Sequence, residues 1–392
     1  MAQLTTPGIC PHCGRGPGLR EARAALEAAL ATLPVAQVVT GWRYLALTHY
    51  LAALLLVERG AALARAGRAL PGVSHDRLTR LLGERTLPAL LMACLRVAAC
   101  PLGPAVWIID DVIVPKPASQ TLAWAKGLWC PAEQRYVHAI NIVVLLACWG
   151  PVRIPLGFRL WCPKEQTTKA CYQTKLMLAR DLIAEALADR LRCQYIVFDS
   201  WYTTGVLTDY LASQGLTWHG ALASNHQVVF QGQRQAVGTL GRQMHDWMAH
   251  GIGYWVASAS VYSPQLGHIR LIRVRVDQPK RPYLYLVTND LQCTPTQAWA
   301  AKRSRWPVEV LFRDDKQLVQ LAGCQSPRVE AQKAHIALVL VGWVVLQRLC
   351  QAPSQTAGEV QEELRHTIWG HATRFSAPVS DRREVPERLK AA

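Results

Sequence analysis

The sequence predicts an α/β protein: a helical N-terminal region, then a mixed core of strands and helices interrupted by a β-rich insertion. Three observations predict it. Hydrophobic periodicity is helical and Ala- and Leu-rich from Leu19 to Ala99, then changes at Ala105 to strongly apolar strand-like runs. Runs of strand character beyond Ala105 give way twice to helical stretches. Between residues 225 and 288 short β-rich runs succeed one another. At 392 residues the chain has room for two or three domains.

Residues 1–17 are rich in Gly, Pro and Cys and are expected to be loosely ordered. Cys10-Pro-His-Cys13 is half of a zinc-ribbon pattern with no second Cys pair at useful spacing, so no metal is assigned there. Within the helical region, Ser74 is expected to cap a short helix that leaves Arg77 and Arg80 exposed. A short basic helix after a Gly turn fits a DNA reader as well as it fits plain helix packing. Residues 1–100 are therefore taken as a helical N-terminal DNA-binding region.

The core begins with a strand, Val106–Val114, that carries Asp110 and Asp111 in its middle. Period-two geometry sends these two acids to opposite faces. A buried unpaired carboxylate is costly, and a metal is the usual compensation. Two more strands, Tyr136–Trp149 and Val152–Trp161, meet at Gly150-Pro151. A long helix is expected over Lys164–Arg192, a strand over Gln194–Asp199, a helix over Thr204–Ser213 and a strand over Thr217–Ala223. Three strands, helix, strand, helix, strand is the order of a ribonuclease H-like core, in which acids of the first and fourth strands meet above the sheet. Residues 101–224 form its first part. The insertion, 225–288, holds the runs Gln227–Phe230, Tyr254–Tyr262 and His268–Val276. Trp247 and Trp255 lie within it; both are expected in its core, with base stacking as their alternative.

The last part of the core, 289–350, contains Lys302-Arg-Ser-Arg305-Trp-Pro-Val-Glu309-Val-Leu-Phe-Arg-Asp-Asp-Lys316. Lys302, Arg305, Arg313 and Lys316 stand at offsets of −7, −4, +4 and +7 from Glu309, which share one helix face. A carboxylate flanked by cations suits a site that binds both a divalent metal and phosphates. Pro307 favours a helix start near Trp306, which leaves Lys302 and Arg305 on a preceding turn. Asp314 and Asp315 are expected to be solvated. Ala334–Leu349 reads as a buried helix, and residues 351–392 as a polar, mobile tail.

Forty-three Lys and Arg against 27 Asp and Glu leave a net charge of +16, which favours a polyanionic partner, most often nucleic acid. No amphipathic basic anchor argues for a membrane surface. Twelve scattered cysteines, several in apolar runs, fit a reducing compartment better than a disulfide framework. The apolar run Tyr44–Val57 is too short for a membrane span. With no targeting segment in view, the expected location is the cytoplasm, at the nucleoid.

These residues carry a resemblance. The sequence is similar to DDE transposases of bacterial insertion sequences, in the superfamily that has a β-strand insertion before its catalytic Glu. That family marks the Glu with Tyr-x2-Arg-x3-Glu-x6-Lys; Arg305, Glu309 and Lys316 match, and Lys302 takes the Tyr position. Asp199-Ser-Trp-Tyr resembles the second catalytic motif, and Ile-Asp-Asp followed by Pro115-Lys116 the first, with Val112 where the family has Thr or a small residue. The family register assigns the first acid to Asp111, with Asp110 beside it; a shift of one residue exchanges them.

The resemblance implies two divalent ions, Mg²⁺ with Mn²⁺ able to substitute, held by Asp111, Asp199 and Glu309. It also implies a nick at each element end, strand transfer into target DNA, and Arg305 and Lys316 on phosphates beside the scissile bond. The partners would be double-stranded DNA, terminal inverted repeats and target alike, bound by a homodimer. Lys302 binds phosphate but does not stack as the family Tyr does, which bears on a hairpin route. The alternatives are a domesticated DNA-binding protein without activity, and a nuclease of the same fold without strand transfer.

Overall fold

The computed structural model describes residues 17–56, 74–117, 119–130, 133–249, 253–276, 283–352 and 354–369. Cys10 and Cys13 lie outside the described residues. The N-terminal helices are α1 (Pro17–Ala31), α2 (Val35–Val38), α3 (Gly41–Leu56), α4 (His75–Leu82) and α5 (Leu87–Ala99). Ser74 caps α4 as predicted, its Oγ accepting from the Arg77 amide. Every α3 side chain from Ala46 to Leu56 is buried, so this helix is core on all sides.

A mixed sheet follows. β1 (Ala105–Pro115) pairs antiparallel with β3 (Arg135–Trp149), which pairs antiparallel with β4 (Val152–Leu160). On its other side β1 runs parallel to β5 (Cys193–Val197), and β5 parallel to β6 (Trp218–Leu222). Parallel neighbours need crossovers, and α6 (Lys175–Ala188) and α7 (Gly205–Ser213) lie in the two connections. β3 is buried without a break from Ala139 to Cys148, which is why it reads as an unbroken apolar run.

The insertion comprises β7 (Gln227–Phe230), β8 (Gln233–Ala236), α8 (Val237–Gln243), β9 (Trp247–Ala249), β10 (Tyr254–Ser263), β11 (Gly267–Arg275) and β12 (Tyr283–Thr288). Its strands extend the same sheet, in the order β6-β12-β11-β10-β7-β8. The result is one large, mostly antiparallel sheet in a mixed α/β fold. The chain then forms α9 (Pro295–Arg303), α10 (Trp306–Gln317), α11 (Val329–Leu349) and α12 (Ala357–Trp369). α11 is the helix among the described residues long and apolar enough to cross a membrane, and 89% of that apolar window is buried in the fold.

Four expectations are corrected. The helix expected over Lys164–Arg192 begins at Lys175, because Thr174 caps it by accepting from the Met177 amide at 3.3 Å; Lys164–Gln166 form only a single 3₁₀ turn after Pro163. A short strand, β2 (Lys126–Cys130), pairs with the start of β3 where none was predicted; five residues are too few to show a period. The supposed tail contains α12, docked on α1 and α11, with the Gln361 amide donating to the Leu55 and Leu318 carbonyls at 2.9 and 2.8 Å. Trp247 and Trp255 are 42% and 44% exposed; the core beneath their ribbon is built from Val256, Ile272, Val274, Leu286 and Trp299 instead.

Candidate active site

Alternation along β1 separates its two acids. Asp110 meets α10, where Arg305 donates to it from Nη1 and to Glu309 from Nη2, so one guanidinium bridges two carboxylates. Asp111 belongs to the other face. Lys175, the first residue of α6, donates to both its oxygens at 2.9 Å, the Tyr202 hydroxyl donates at 2.9 Å and the Asn141 amide at 2.6 Å.

Asp199 follows the C-terminal end of β5. Its Oδ1 accepts from the Trp201 and Tyr202 amides at 2.9 and 3.3 Å, a turn that Asp favours, and its carbonyl accepts from Thr203 Oγ1 at 2.9 Å. Gly220 on β6 makes room for this turn, because a Cβ there would collide with Thr203 Oγ1 and the Phe198 ring. Burial, opposed by Arg305 and reinforced by the charges of Asp199 and Asp111, pushes the Asp110 carboxyl up to about 7. Asp110, Asp199 and Glu309 thus come from distant segments into one electrostatic neighbourhood.

α10 begins at Trp306 with Pro307 in its first turn and Glu309 following, as the sequence predicts. Lys302 lies on α9, its Nζ 5.6 Å from the Trp299 ring centroid, and burial and then the Arg305 charge lower its pKa. It does not share a helix with Glu309. Arg313 pairs with its neighbour Asp314 at 3.2 Å, and Lys316 is exposed in the last turn of α10. Arg77 and Arg80 are exposed on α4, which packs on α3 and α11.

The expectation that Asp314 and Asp315 are solvated is corrected. Asp314 Oδ2 accepts from Trp343 Nε1 at 3.3 Å, and Asp315 is 1% exposed. Burial, and then the neighbouring Asp314 charge, push the Asp315 carboxyl well above the usual range. Leu311, Phe312 and Asp315 are buried on one side of α10, which packs on α11.

The sequence also left Lys175, Tyr202 and Asn141 without a role. Lys175 follows the Thr174 cap and Tyr202 stands inside the Asp199 motif, so both had a local signal; Asn141, in mid-strand, had none. Trp201 is 47% exposed with Lys175 Nζ 4.0 Å from its ring centroid, and Trp306 is 59% exposed beside Arg305.

Among the described residues, no three carboxylate, imidazole or thiol groups converge closely enough to cage an ion as they stand. The donor set nevertheless fits a divalent cation. It consists of hard carboxylate oxygens, two already share one cationic group, and Asp110 is raised by burial first and by the Asp199 and Asp111 charges after it.

A mixed α/β fold thus carries acids from three distant segments at its sheet. The chain belongs to the DDE superfamily endonucleases, whose family model matches residues 40–246. The match takes in Asp110, Asp111 and Asp199 and ends before Glu309. No curated protein matches the chain.

Proposed function

We propose that the protein is a DDE transposase that cuts DNA at insertion-sequence ends and joins the freed ends to target DNA. The observation that carries this reading is the Arg305 bridge between Asp110 and Glu309, with the Asp199 charge beside it. The order β4-β3-β1-β5-β6, antiparallel on one side of β1 and parallel on the other, supports a ribonuclease H-like core. The strands between β6 and α10 then correspond to the β insertion.

In this reading Asp110, Asp199 and Glu309 hold two divalent ions, Mg²⁺ or Mn²⁺. The geometry favours Asp110 over Asp111 because its counter-ion is shared with Glu309. When bound, such ions activate a water or 3′-hydroxyl and stabilise the leaving oxygen of an in-line phosphoryl transfer. Arg305 and Lys316 bind phosphates beside the scissile bond, with Arg313 and Lys302 adding charge along the same path. Exposed Trp201 and Trp306 offer stacking surfaces to unpaired bases. Arg77 and Arg80 contact end DNA from α4, and a homodimer holds two ends.

The test is Mg²⁺- or Mn²⁺-dependent cutting and joining of DNA carrying the sequences that flank the gene, comparing wild type with Asp199→Ala. End-specific nicking and joining that vanish in the variant are expected. Cutting without joining would instead identify a nuclease. Binding without cutting by either protein would identify a domesticated binder, and cutting unaffected by the substitution would misplace the site.

A further inference from the structure

On the flank of α10, a quarter-turn from Glu309, lies a cleft of about 780 Å³. Its walls are Arg153 after the β3–β4 turn, Val310 and Arg313 on α10, Trp343 and Arg348 on α11, and residues 350–352 and 354–358. Its size is that of a pocket for a nucleotide-scale ligand. Three arginines face it against one carboxylate, Asp314, which already accepts from Arg313 and Trp343.

Among the described residues neither Arg153 nor Arg348 has a carboxylate partner, and Arg153 Nε is buried without a hydrogen bond. Arg348 alone could serve the carbonyl end of α11. Three guanidiniums around one cleft exceed that need, and their planar forks match phosphate oxygens.

We propose that this cleft is a second nucleic-acid site, binding the phosphate backbone of a strand that runs out of the carboxylate site along α10. The proposal rests on the reading that the protein acts on DNA. Arg313 is one helical turn beyond Glu309, about 6 Å of rise, so the cleft opens at the shoulder of the site. The chain's own residues after α12 are a poor occupant: Arg374, Arg382, Arg383, Arg388 and Lys390 outnumber Asp381, Glu384 and Glu387.

The experiment measures duplex binding by fluorescence anisotropy across a salt series, for the full chain and for Arg153→Gln/Arg348→Gln. Losing two phosphate contacts should make the slope of log affinity against log salt shallower by about 1.8. Arg348→Gln alone, at an exposed position, should lose about half of that with an unchanged melting temperature. Arg→Lys at both positions should largely keep the wild-type slope.

Slopes unchanged in both Gln variants would overturn the proposal. So would inorganic tripolyphosphate raising the melting temperature of wild type but not of the variants while the slope stays fixed, because the cleft would then hold a small free anion. Failure of wild type to bind DNA would overturn the cleft and the transposase reading together. Wild type that binds but does not cut speaks against the reaction alone, and the slope comparison still decides the cleft.

Discussion

The two faces of β1 treat adjacent carboxylates in different ways. On the α6 face, Asp111 has a full set of local donors in Lys175, Tyr202 and Asn141. On the α10 face, Asp110 shares its one cationic partner with Glu309 and feels Asp199 besides. A carboxylate with its own lysine, a hydroxyl and an amide is already neutralised and fixed. One that shares a guanidinium among several acids is short of positive charge, which is the condition a polyvalent cation relieves.

The largest expected effect separates the two faces directly. Asp110→Asn should lower metal-dependent cutting by at least about 10³-fold, the equivalent of about 4 kcal/mol of lost transition-state stabilisation. Asp111→Asn should cut within about tenfold of wild type but melt earlier, because Lys175 is left partly buried without its anion. Cleavage assays with melting curves on both variants decide it. The reverse pattern would return the first ligand to Asp111, where the family register puts it.

A second difference is in pH. The Asp110 carboxyl stands at about 7 in the folded protein against an ordinary value of 3.8. Between those values the folded state keeps a proton that the unfolded state has released. Stability of the metal-free protein should therefore fall as pH rises from about 4 through 7, by about 4 kcal/mol at most. Denaturant titrations at pH 5 and pH 8 should show this fall in wild type and not in Asp110→Asn. At pH 8, Mg²⁺ should raise the melting temperature of wild type and leave that of the variant unchanged. Equal pH dependence in both proteins would assign the titration to another group.

Much of this arrangement was legible in the sequence wherever a period or a cap recorded it. β1 and β3 are long, strongly apolar runs. Pro307 announced the start of α10, and Ser74 that of α4. Alternation alone placed Asp110 and Asp111 on opposite faces, although not which of them would meet Glu309; that depends on Arg305, which reaches β1 only through the tertiary fold.

Two of the errors share one cause, tertiary burial overriding local polarity. Asp314 and Asp315 look like surface acids until α10 packs on α11. Residues 357–369 read as a polar tail because, among the described side chains of that helix, only Ala357, Val360 and Gln361 are buried. Trp247 and Trp255 look like core residues because size is a poor guide on a ribbon whose core comes from other strands.

The smallest effect tests the quiet face. Tyr202→Phe removes the hydroxyl that donates to Asp111 and keeps the buried ring, so packing should persist. A hydrogen bond to a charged group contributes about 1.5–3 kcal/mol, and the remaining Lys175 and Asn141 donors should hold the loss to the lower end of that range. Because Asp111 neutralises its own face in this account, cutting should stay within about threefold of wild type at temperatures where both proteins are folded. A loss of cutting far larger than the loss of stability would mean that the Asp111 oxygens serve the reaction. Lys175 and Tyr202 would then be groups that hold a ligand in readiness, and not the lock on a structural carboxylate that their distances describe.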